Sequence, residues 1–454
     1  MTFIVILRVC QQALKPAATI FLITEDNKMN VLIIGSGGRE HALVWKMRQS
    51  KKVRNIFCAP GNAGIAQEAE CVNILPENIN GLLSFAKENK IDLTVVGPEL
   101  PLSLGIVDKF EGAGLRVFGP TASAARLEYS KAFAKEMMAK CNIPTAVFKT
   151  FTSSHEAKKY IKEKGVPLVI KADGLAAGKG VVVAETVDEA NNAIADMMEK
   201  RAFGDAGSKV VIEDCLKGEE ASFMVFTDGN AIVPMVSAQD HKRVFDNDKG
   251  PNTGGMGAYS PAPVVSDTLT KKVINEVFKP LLSGLKKEGI NYKGVLYAGL
   301  MIDDNQLHVL EFNCRFGDPE AQPILFRLKS DIIEIMEAII DNRLSDINIE
   351  WKQEASVCVV IASKGYPGNY EKEMAIEGLN EAEEIKGVKV FHAGTAKKDN
   401  DIITAGGRVL GVTALGADIK EAVENAYKAV EKIKFEGMHY RRDIALKALS
   451  LTVN

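Results

Sequence analysis

The sequence predicts a multidomain chain of α/β and α+β type. A doubly wound parallel-sheet domain comes first, a larger α+β domain with a mobile lid subdomain second, and a small α+β domain last. Three observations predict this. Residues 29–129 alternate short apolar runs with helical segments, the pattern of a parallel sheet with crossover helices. Residues 166–183 read as strand, glycine-rich loop, strand. Residues 346–454 open on an apolar run, Ser356–Ala362, and carry a helical pattern at Asp418–Lys432.

In chain order, Val31–Ile34 is a buried strand, Glu40–Ser50 a helix, and Asn55–Ala59, Leu93–Val96 and Arg116–Phe118 further strands. Gly35-Ser36-Gly37-Gly38 falls at the first strand-to-helix turn, where a helix N-terminus receives phosphate. It is not a dinucleotide fingerprint, because Glu40 takes the third glycine position. Pro98 and Glu99 end another strand and belong to the same crevice by sheet topology. The second domain, residues 130–345, follows a helix at Tyr129–Cys141 that carries Lys131 near its start. Its lid covers about residues 150–216. Thr227-Asp228-Gly229-Asn230 signals a hairpin between Ser222–Phe226 and Ala231–Val236. Gln239–Ser260 lacks periodicity and reads as one long loop, a length that points to function. Tyr297–Ile302 and Leu307–Asn313 form a strand pair, and Asp331–Asn342 an amphipathic helix. The last domain shows no catalytic constellation and is expected to pack against the second and help close it.

Two stretches carry chemistry. In Val309-Leu310-Glu311-Phe312-Asn313-Cys314-Arg315, strand alternation puts Glu311 and Asn313 on one face. Two hard oxygen donors side by side suit Mg²⁺, which keeps other positions for water and phosphate. Arg315 joins them if the strand continues, and brings a planar cation to phosphate charge. The second stretch is Lys171-Ala172-Asp173-Gly174-Leu175-Ala176-Ala177-Gly178-Lys179-Gly180. A P-loop needs a first glycine where Asp173 stands, a Ser or Thr where Gly180 stands, and a helix next. This is instead a hairpin that folds over a triphosphate, with Lys171 and Lys179 as donors.

Together these stretches resemble the ATP-grasp superfamily. The resemblance makes Val210–Leu216 the hinge that binds adenine through the backbone at Glu213 and Leu216, and Glu220 the acceptor of ribose hydroxyls. Lys131 and Lys171 match its two lysines, and Gly174 and Gly178 its loop glycines. Within that superfamily, Ala238–Arg243, Gly250–Pro261, Ile34–Leu43, Val96–Glu99 and Ala405–Leu410 resemble the glycinamide ribonucleotide synthetases. Cys215 and Ala321 depart from the family's usual residues, and neither carries proposed chemistry. The resemblance implies ligation of glycine to 5-phosphoribosylamine with ATP and Mg²⁺ or Mn²⁺, through glycyl phosphate. It implies catalytic roles for Arg315 and Lys179, and metal binding by Glu311 and Asn313. It assigns Gly37, Gly38, Arg39, Pro98 and Glu99 to the phosphoribosylamine side. Asp240 and Asp318 become candidates for the glycine ammonium, and the backbone at Gly254, Gly255 and Gly317 for close approach to the reacting groups. The strand upstream, Leu296–Met301, has no second carboxylate, so the number of ions stays open. Another ATP-grasp carboxylate–amine ligase, or a non-catalytic nucleotide binder, would share the phosphate residues.

Composition sets limits. The chain has 454 residues, 46% of them hydrophobic and 25% charged, which is ordinary for a globular protein. A net charge of −3 points away from nucleic acid, and no apolar run reaches membrane-spanning length. Seven scattered cysteines without a C-x-x-C pair fit a reducing, cytoplasmic setting, and the resemblance implies small-molecule partners. A monomer is the expected state. Residues 1–28 are expected to lie outside the core fold. They lack the charged start of a secretory signal, and an organelle transit peptide is the alternative. Starting the chain at Met29 should therefore leave turnover and melting temperature almost unchanged. A fall of several degrees would show instead that Thr2–Leu7 adds an edge strand.

Overall fold

The computed structural model describes residues 28–175, 180–303 and 306–451. The expectations for residues 1–27 and for Gly178 and Lys179 lie outside the described residues. The first sheet holds β1 (Met29–Gly35), β2 (Val53–Pro60), β3 (Glu70–Cys71), β4 (Leu93–Val96) and β5 (Val117–Phe118), all parallel, in the order β3-β2-β1-β4-β5. Leu32 and Ile34 enter one core and Val31 and Ile33 another. Both faces of β1 are thus covered, as a doubly wound sheet requires. The order reverses at β1, so the crevice opens beyond β1 and β4, at Gly35–Gly37 and Gly97–Glu99.

A second sheet contains β6 (Phe148–Phe151), β7 (Leu168–Ala172), β8 (Val181–Ala184) and β9 (Val210–Asp214), in the order β6-β9-β7-β8. The glycine-rich loop joins β7 to β8, which pair antiparallel from Lys171↔Val181 to Leu168↔Ala184. This sheet and its two helices close a core of their own around Ile161, Leu168, Ile170, Ala190 and Ile212.

The chain then forms β10 (Glu219–Thr227), β11 (Ile232–Pro234), β12 (Gln239–Asp240), β13 (Arg243–Phe245), β14 (Lys249–Asn252), β15 (Gly257–Ser260), β16 (Gly294–Asp303) and β17 (Gln306–Asn313). A four-stranded sheet runs β11-β10-β16-β17. Finally come β18 (Ala355–Ala362), β19 (Val388–His392), β20 (Thr395–Lys398), β21 (Asp401–Thr404) and β22 (Arg408–Gly416). The last large sheet runs β12-β15-β18-β22-β19.

Two expectations change, and a third gains detail. The single loop at 239–260 is four short strands. Of these, β13 and β14 pair with each other, while β12 and β15 join the C-terminal sheet. The pattern was hidden because strands of two to four residues have no room for visible alternation. The helix expected at Tyr129–Cys141 is Lys131–Lys140, and a separate helix, Ala122–Tyr129, precedes it. Ser130 separates them because it is extended and its side chain caps the second, accepting from Phe133 N. The strand carrying Glu311 ends at Asn313, so Arg315 reaches the cleft from the turn that follows.

Strand β17 also contains a register shift. Glu311 opposes Gly299 while Val309 opposes Leu300, leaving Leu310 as an extra residue. Before it, Leu307 and Val309 face the core. After it, Phe312 and Cys314 do. The bulge swaps the faces, so Glu311, Asn313 and Arg315 turn to the cleft while Phe312 is buried.

Candidate active site

One cavity of about 770 Å³ lies where the first sheet, the lid and the four-stranded sheet meet. Gly37, Arg39, Pro98 and Glu99 line it from the first domain. Lys131, Lys171, Glu213, Leu216 and Glu220 line it at the lid and hinge. Asp240, Gly254, Glu311, Asn313, Arg315 and Asp318 complete it among the residues expected from sequence. Gly38, Gly174, Gly255 and Gly317 are not at its surface. Gly255 has φ +110°, and a side chain there would strike Pro319. Gly317 lets the Glu320 carboxylate come close. Gly174 offers its carbonyl to Lys131 Nζ at 3.1 Å.

The lid side is built on buried charge. Asp173, at the start of the glycine-rich loop, accepts from Ser130 Oγ and Ala132 N at 3.1 Å, docking the loop on the Lys131–Lys140 helix N-terminus. Lys135 lies one turn after Lys131. Its ammonium is 2.8 Å from Glu213 Oε2, and each side chain is only 2% exposed. Lys171 Nζ lies 2.9 Å from Glu213 Oε1, an ionic contact without hydrogen-bond geometry, and donates to Leu310 O at 3.1 Å. Burial pulls the Lys135 ammonium down to about 8, with Glu213 opposing.

At the opposite end, Glu40 accepts from Gly37 N and Arg39 Nε, each at 2.6 Å. Its carboxylate fills the space over the Gly35–Gly37 turn, so that a side chain at Gly97 would collide with it. That is the physical reason this turn is not a dinucleotide site. Arg315 Nη2 meets Glu128 at 2.7 Å and Nε meets Glu99 at 3.4 Å. Its two partners shift in opposite directions. Burial raises Glu128 despite Arg315. Burial also pushes Glu99 up, but Arg315 and Arg39 outweigh it and hold Glu99 below its ordinary value. The deeper of the two carboxylates loses more hydration.

In the centre, the Glu311 carboxylate forms no ion pair within 4 Å among the described residues. Burial disfavours its charge, but Lys242, Lys171, Lys131 and Arg315 together hold it below its ordinary value. Lys242 Nζ is 2.9 Å from Glu220. Burial raises Asp240 to about 7, with Lys242 opposing and Glu320 and Glu220 adding to the rise. Glu320 Oε1 accepts from Ser222 Oγ at 2.9 Å and Tyr297 OH at 2.8 Å.

The last domain reaches the site, in line with the expectation that it packs against the second domain and helps close it, and it adds side chains of its own. Arg408 Nη2 is 2.9 Å from Asp318 Oδ2, and Nη1 donates to the carbonyls of Gly254 at 2.6 Å and Asp318 at 2.7 Å. Tyr366 OH accepts from Gly254 N at 3.0 Å. Asp318 is therefore already paired. Burial pushes it up, but Arg408 and Arg39 hold it below its ordinary value. Sequence reading did not place Lys135, Glu128, Glu320, Tyr366 or Arg408 in the site. Only Lys135 left a usable signal, its four-residue spacing from Lys131 on one helix face.

The phosphoribosylglycinamide synthetase N domain matches residues 29–128, its ATP-grasp (A) domain residues 129–321, and its C domain residues 356–447. The chain belongs to the phosphoribosylglycinamide synthetase family. A phosphoribosylamine–glycine ligase from Vibrio vulnificus is 56% identical over 425 residues, covering 93% of this chain and 99% of that protein. One from Caldanaerobacter subterraneus is 54% identical over 417 residues, covering 92% and 99%. The crystal structure of phosphoribosylamine–glycine ligase from Thermotoga maritima superposes with a TM-score of 0.81 at 35% identity, covering 92% of this chain and all of that one. A biotin carboxylase complex from Campylobacter jejuni, 16% identical with a TM-score of 0.69 over 94% and 96% of the two chains, shares the ATP-grasp fold. No helix among the described residues is long and apolar enough to cross a membrane.

Among the described residues, Glu213 is the carboxylate in direct contact with both buried ammonium groups, Lys135 and Lys171. Glu213→Gln should destabilise the fold by about 3 kcal/mol, because both lysines then lack a counter-charge. Denaturant unfolding measures this, and an unchanged midpoint would show that water already screens them.

Proposed function

We propose that this chain joins glycine to 5-phosphoribosylamine at the expense of ATP, giving glycinamide ribonucleotide, ADP and phosphate, a step of purine biosynthesis. One observation supports this above the rest. A single cavity connects the lysine-rich lid, the Glu311–Asn313 pair and the glycine turn of the first domain, so a nucleotide and a second phosphorylated substrate fit end to end. Three regions of one chain supply these groups, and the reading needs no second subunit.

The chemistry follows from charge. A carboxylate does not acylate an amine, because oxide is a poor leaving group. Transfer of the γ-phosphoryl to the glycine carboxylate makes glycyl phosphate. The amine of phosphoribosylamine then attacks the acyl carbon, the carbon–oxygen bond breaks, phosphate departs, and the amine's proton is lost. Positioning and charge stabilisation are the protein's main contributions. Lys131 and Lys171 hold the phosphates, with Lys179 as a further donor from the loop. The hinge backbone at Glu213 and Leu216 holds adenine, and Glu220 accepts from ribose. Arg315 faces the transferring phosphoryl while Glu128 and Glu99 fix its plane. Asp240 suits the glycine ammonium: its buried carboxyl, raised to about 7, gains from a neighbouring cation. Asp318, bound to Arg408, contributes orientation rather than an unpaired charge.

Glu311 and Asn313 fit a divalent ion, Mg²⁺ or Mn²⁺. One is an ionised carboxylate without a salt-bridge partner among the described residues, the other a neighbouring amide oxygen on the same face. When bound, the ion neutralises charge on the triphosphate. Lid closure over the substrates excludes the water that would hydrolyse glycyl phosphate.

Phosphate release from ATP should require both glycine and phosphoribosylamine, the latter generated in place because it is labile. Equal release without glycine, or with another amino acid in its place, would overturn the reading. Glu311→Gln should stay folded yet lose roughly a hundredfold in turnover, the scale of one interaction made in the transition state. Near-normal turnover at saturating Mg²⁺ would place the ion elsewhere.

A further inference from the structure

The β13–β14 hairpin is a weak element in an important place. Its entry carries Asp240 and Lys242, and its exit Asn252, Thr253 and Gly254, all at the cavity. Only two short strands pair, with an irregular register between Arg243↔Asn252 and Phe245↔Lys249. Asn247 and Asp248 at its tip have φ of 59° and 53°, unusual for residues other than glycine. All of β14 is exposed, and Val244 is the one residue of either strand that is fully buried. An isolated two-stranded hairpin is marginal in water. Something outside it must hold its shape.

The C-terminal segment does. Arg441 is 1% exposed on its side chain although it carries a charge. Its Nη1 donates to Arg243 O at 3.1 Å and to Asp248 Oδ1 at 2.8 Å. Nε and Nη2 each donate at 2.7 Å to Asp443, a two-point pairing that fixes the plane of the guanidinium. Asp443 Oδ2 in turn accepts from Asn247 N at 2.8 Å, and Asp246 accepts from Arg442 N at 2.8 Å. His439 Nε2 lies 2.8 Å from Val244 O. Strand β13 and the tip are gripped by residues 439–443, while Arg408 and Tyr366 grip the exit at Gly254.

We propose that Arg441, working through Asp443, is a positioning residue for the ligase reaction. It sets the hairpin so that Asp240, Lys242 and the Asn252–Gly254 backbone meet the reacting groups. A buried arginine whose bonds all go to the hairpin or to Asp443 has no role in the hydrophobic core beside it that an apolar side chain would not fill better. The lid lysines and Glu213 make no bond to this hairpin among the described residues, and it meets the residues proposed for the nucleotide through Lys242, paired with Glu220 at 2.9 Å beside the ribose rather than the phosphates. Nucleotide binding and turnover should therefore respond differently, because small misplacements penalise reaction more than binding.

This rests on the proposed reaction, and the unsubstituted protein separates the two questions. If it fails to ligate glycine, that reading fails. If it ligates, Arg441→Met and Arg441→Lys test the inference, each assayed well below its own melting temperature. We expect Arg441→Met to lose about tenfold or more in kcat/KM for glycine, with the dissociation constant for ATP within about twofold of the parent. Arg441→Lys should recover part of the loss, since one ammonium still reaches the Arg243 carbonyl or Asp248. Asp443→Asn, which keeps the shape but weakens both the Arg441 pair and the Asn247 contact, should give a loss in the same direction. It carries the test alone if Arg441→Met does not fold. Turnover within about twofold of the parent, or an equal loss of ATP affinity, would reduce Arg441 to a structural residue.

Discussion

The site depends on one extra residue in a strand. Were β17 regular, the face that buries Leu307 and Val309 would also bury Glu311, and Phe312 would point at the substrates. One core strand would then carry a charge inward, which is costly, and leave an aromatic ring outside the core. Leu310 takes the slack. The shift at Gly299–Leu300 restores Phe312 and Cys314 to the core, and Leu310 keeps its carbonyl for Lys171. The pair proposed for the metal, the lysine proposed for phosphate and the core packing of the strand are thus set by the same local irregularity.

Around that strand the cleft is a balance of opposed charges. Lys135 and Lys171 share Glu213. Arg315 is divided between Glu128 and Glu99, Lys242 faces Glu220, and Arg408 faces Asp318. Cations assembled for two phosphate groups would repel one another in a buried site without such partners. The carboxylates make the array stable and fix the direction of each cation. Glu311 stands apart, since it feels four cations but pairs with none of the described ones. That is the signature of a ligand position rather than a brace.

Much of this was legible in the sequence, and the limit is physical. The parallel sheet, the glycine hairpin and the Glu-x-Asn strand were readable because each is local, a period or a spacing within a dozen residues. The β17 face assignment came out right although strict alternation from Val309 predicts the reverse. Alternation counted from Glu311 onward is true on its own side of the bulge. The short strands of 239–260 were not readable, because they are held by partners far away: β15 pairs with β18, and β13 is anchored by Arg441. Glu128 and Arg408 were missed for the same reason. Their partners Arg315 and Asp318 lie far along the chain, and a spacing argument does not reach across such gaps.

The distribution of cores gives the arrangement its mechanical sense. Two clusters run continuously from the first sheet into the larger lobe, joining Leu32 and Ile34 to Phe312, and Val31 and Ile33 to Ile324 and Ile335. Buried polar contacts cross the same boundary: Lys46 donates to Leu328 O, Ser50 to Asp331, and Arg39 to Phe316 O. The lid has a separate core. It touches the rest through charged and backbone contacts, chiefly Glu213 with Lys135, Asp173 with Ser130, and Lys171 with Leu310 O. Moving a body with its own core past polar contacts costs far less than opening a packed apolar interface. The chain therefore places its rigid joints at the residues proposed for phosphoribosylamine and the metal ion, and its yielding joint at those proposed for the nucleotide.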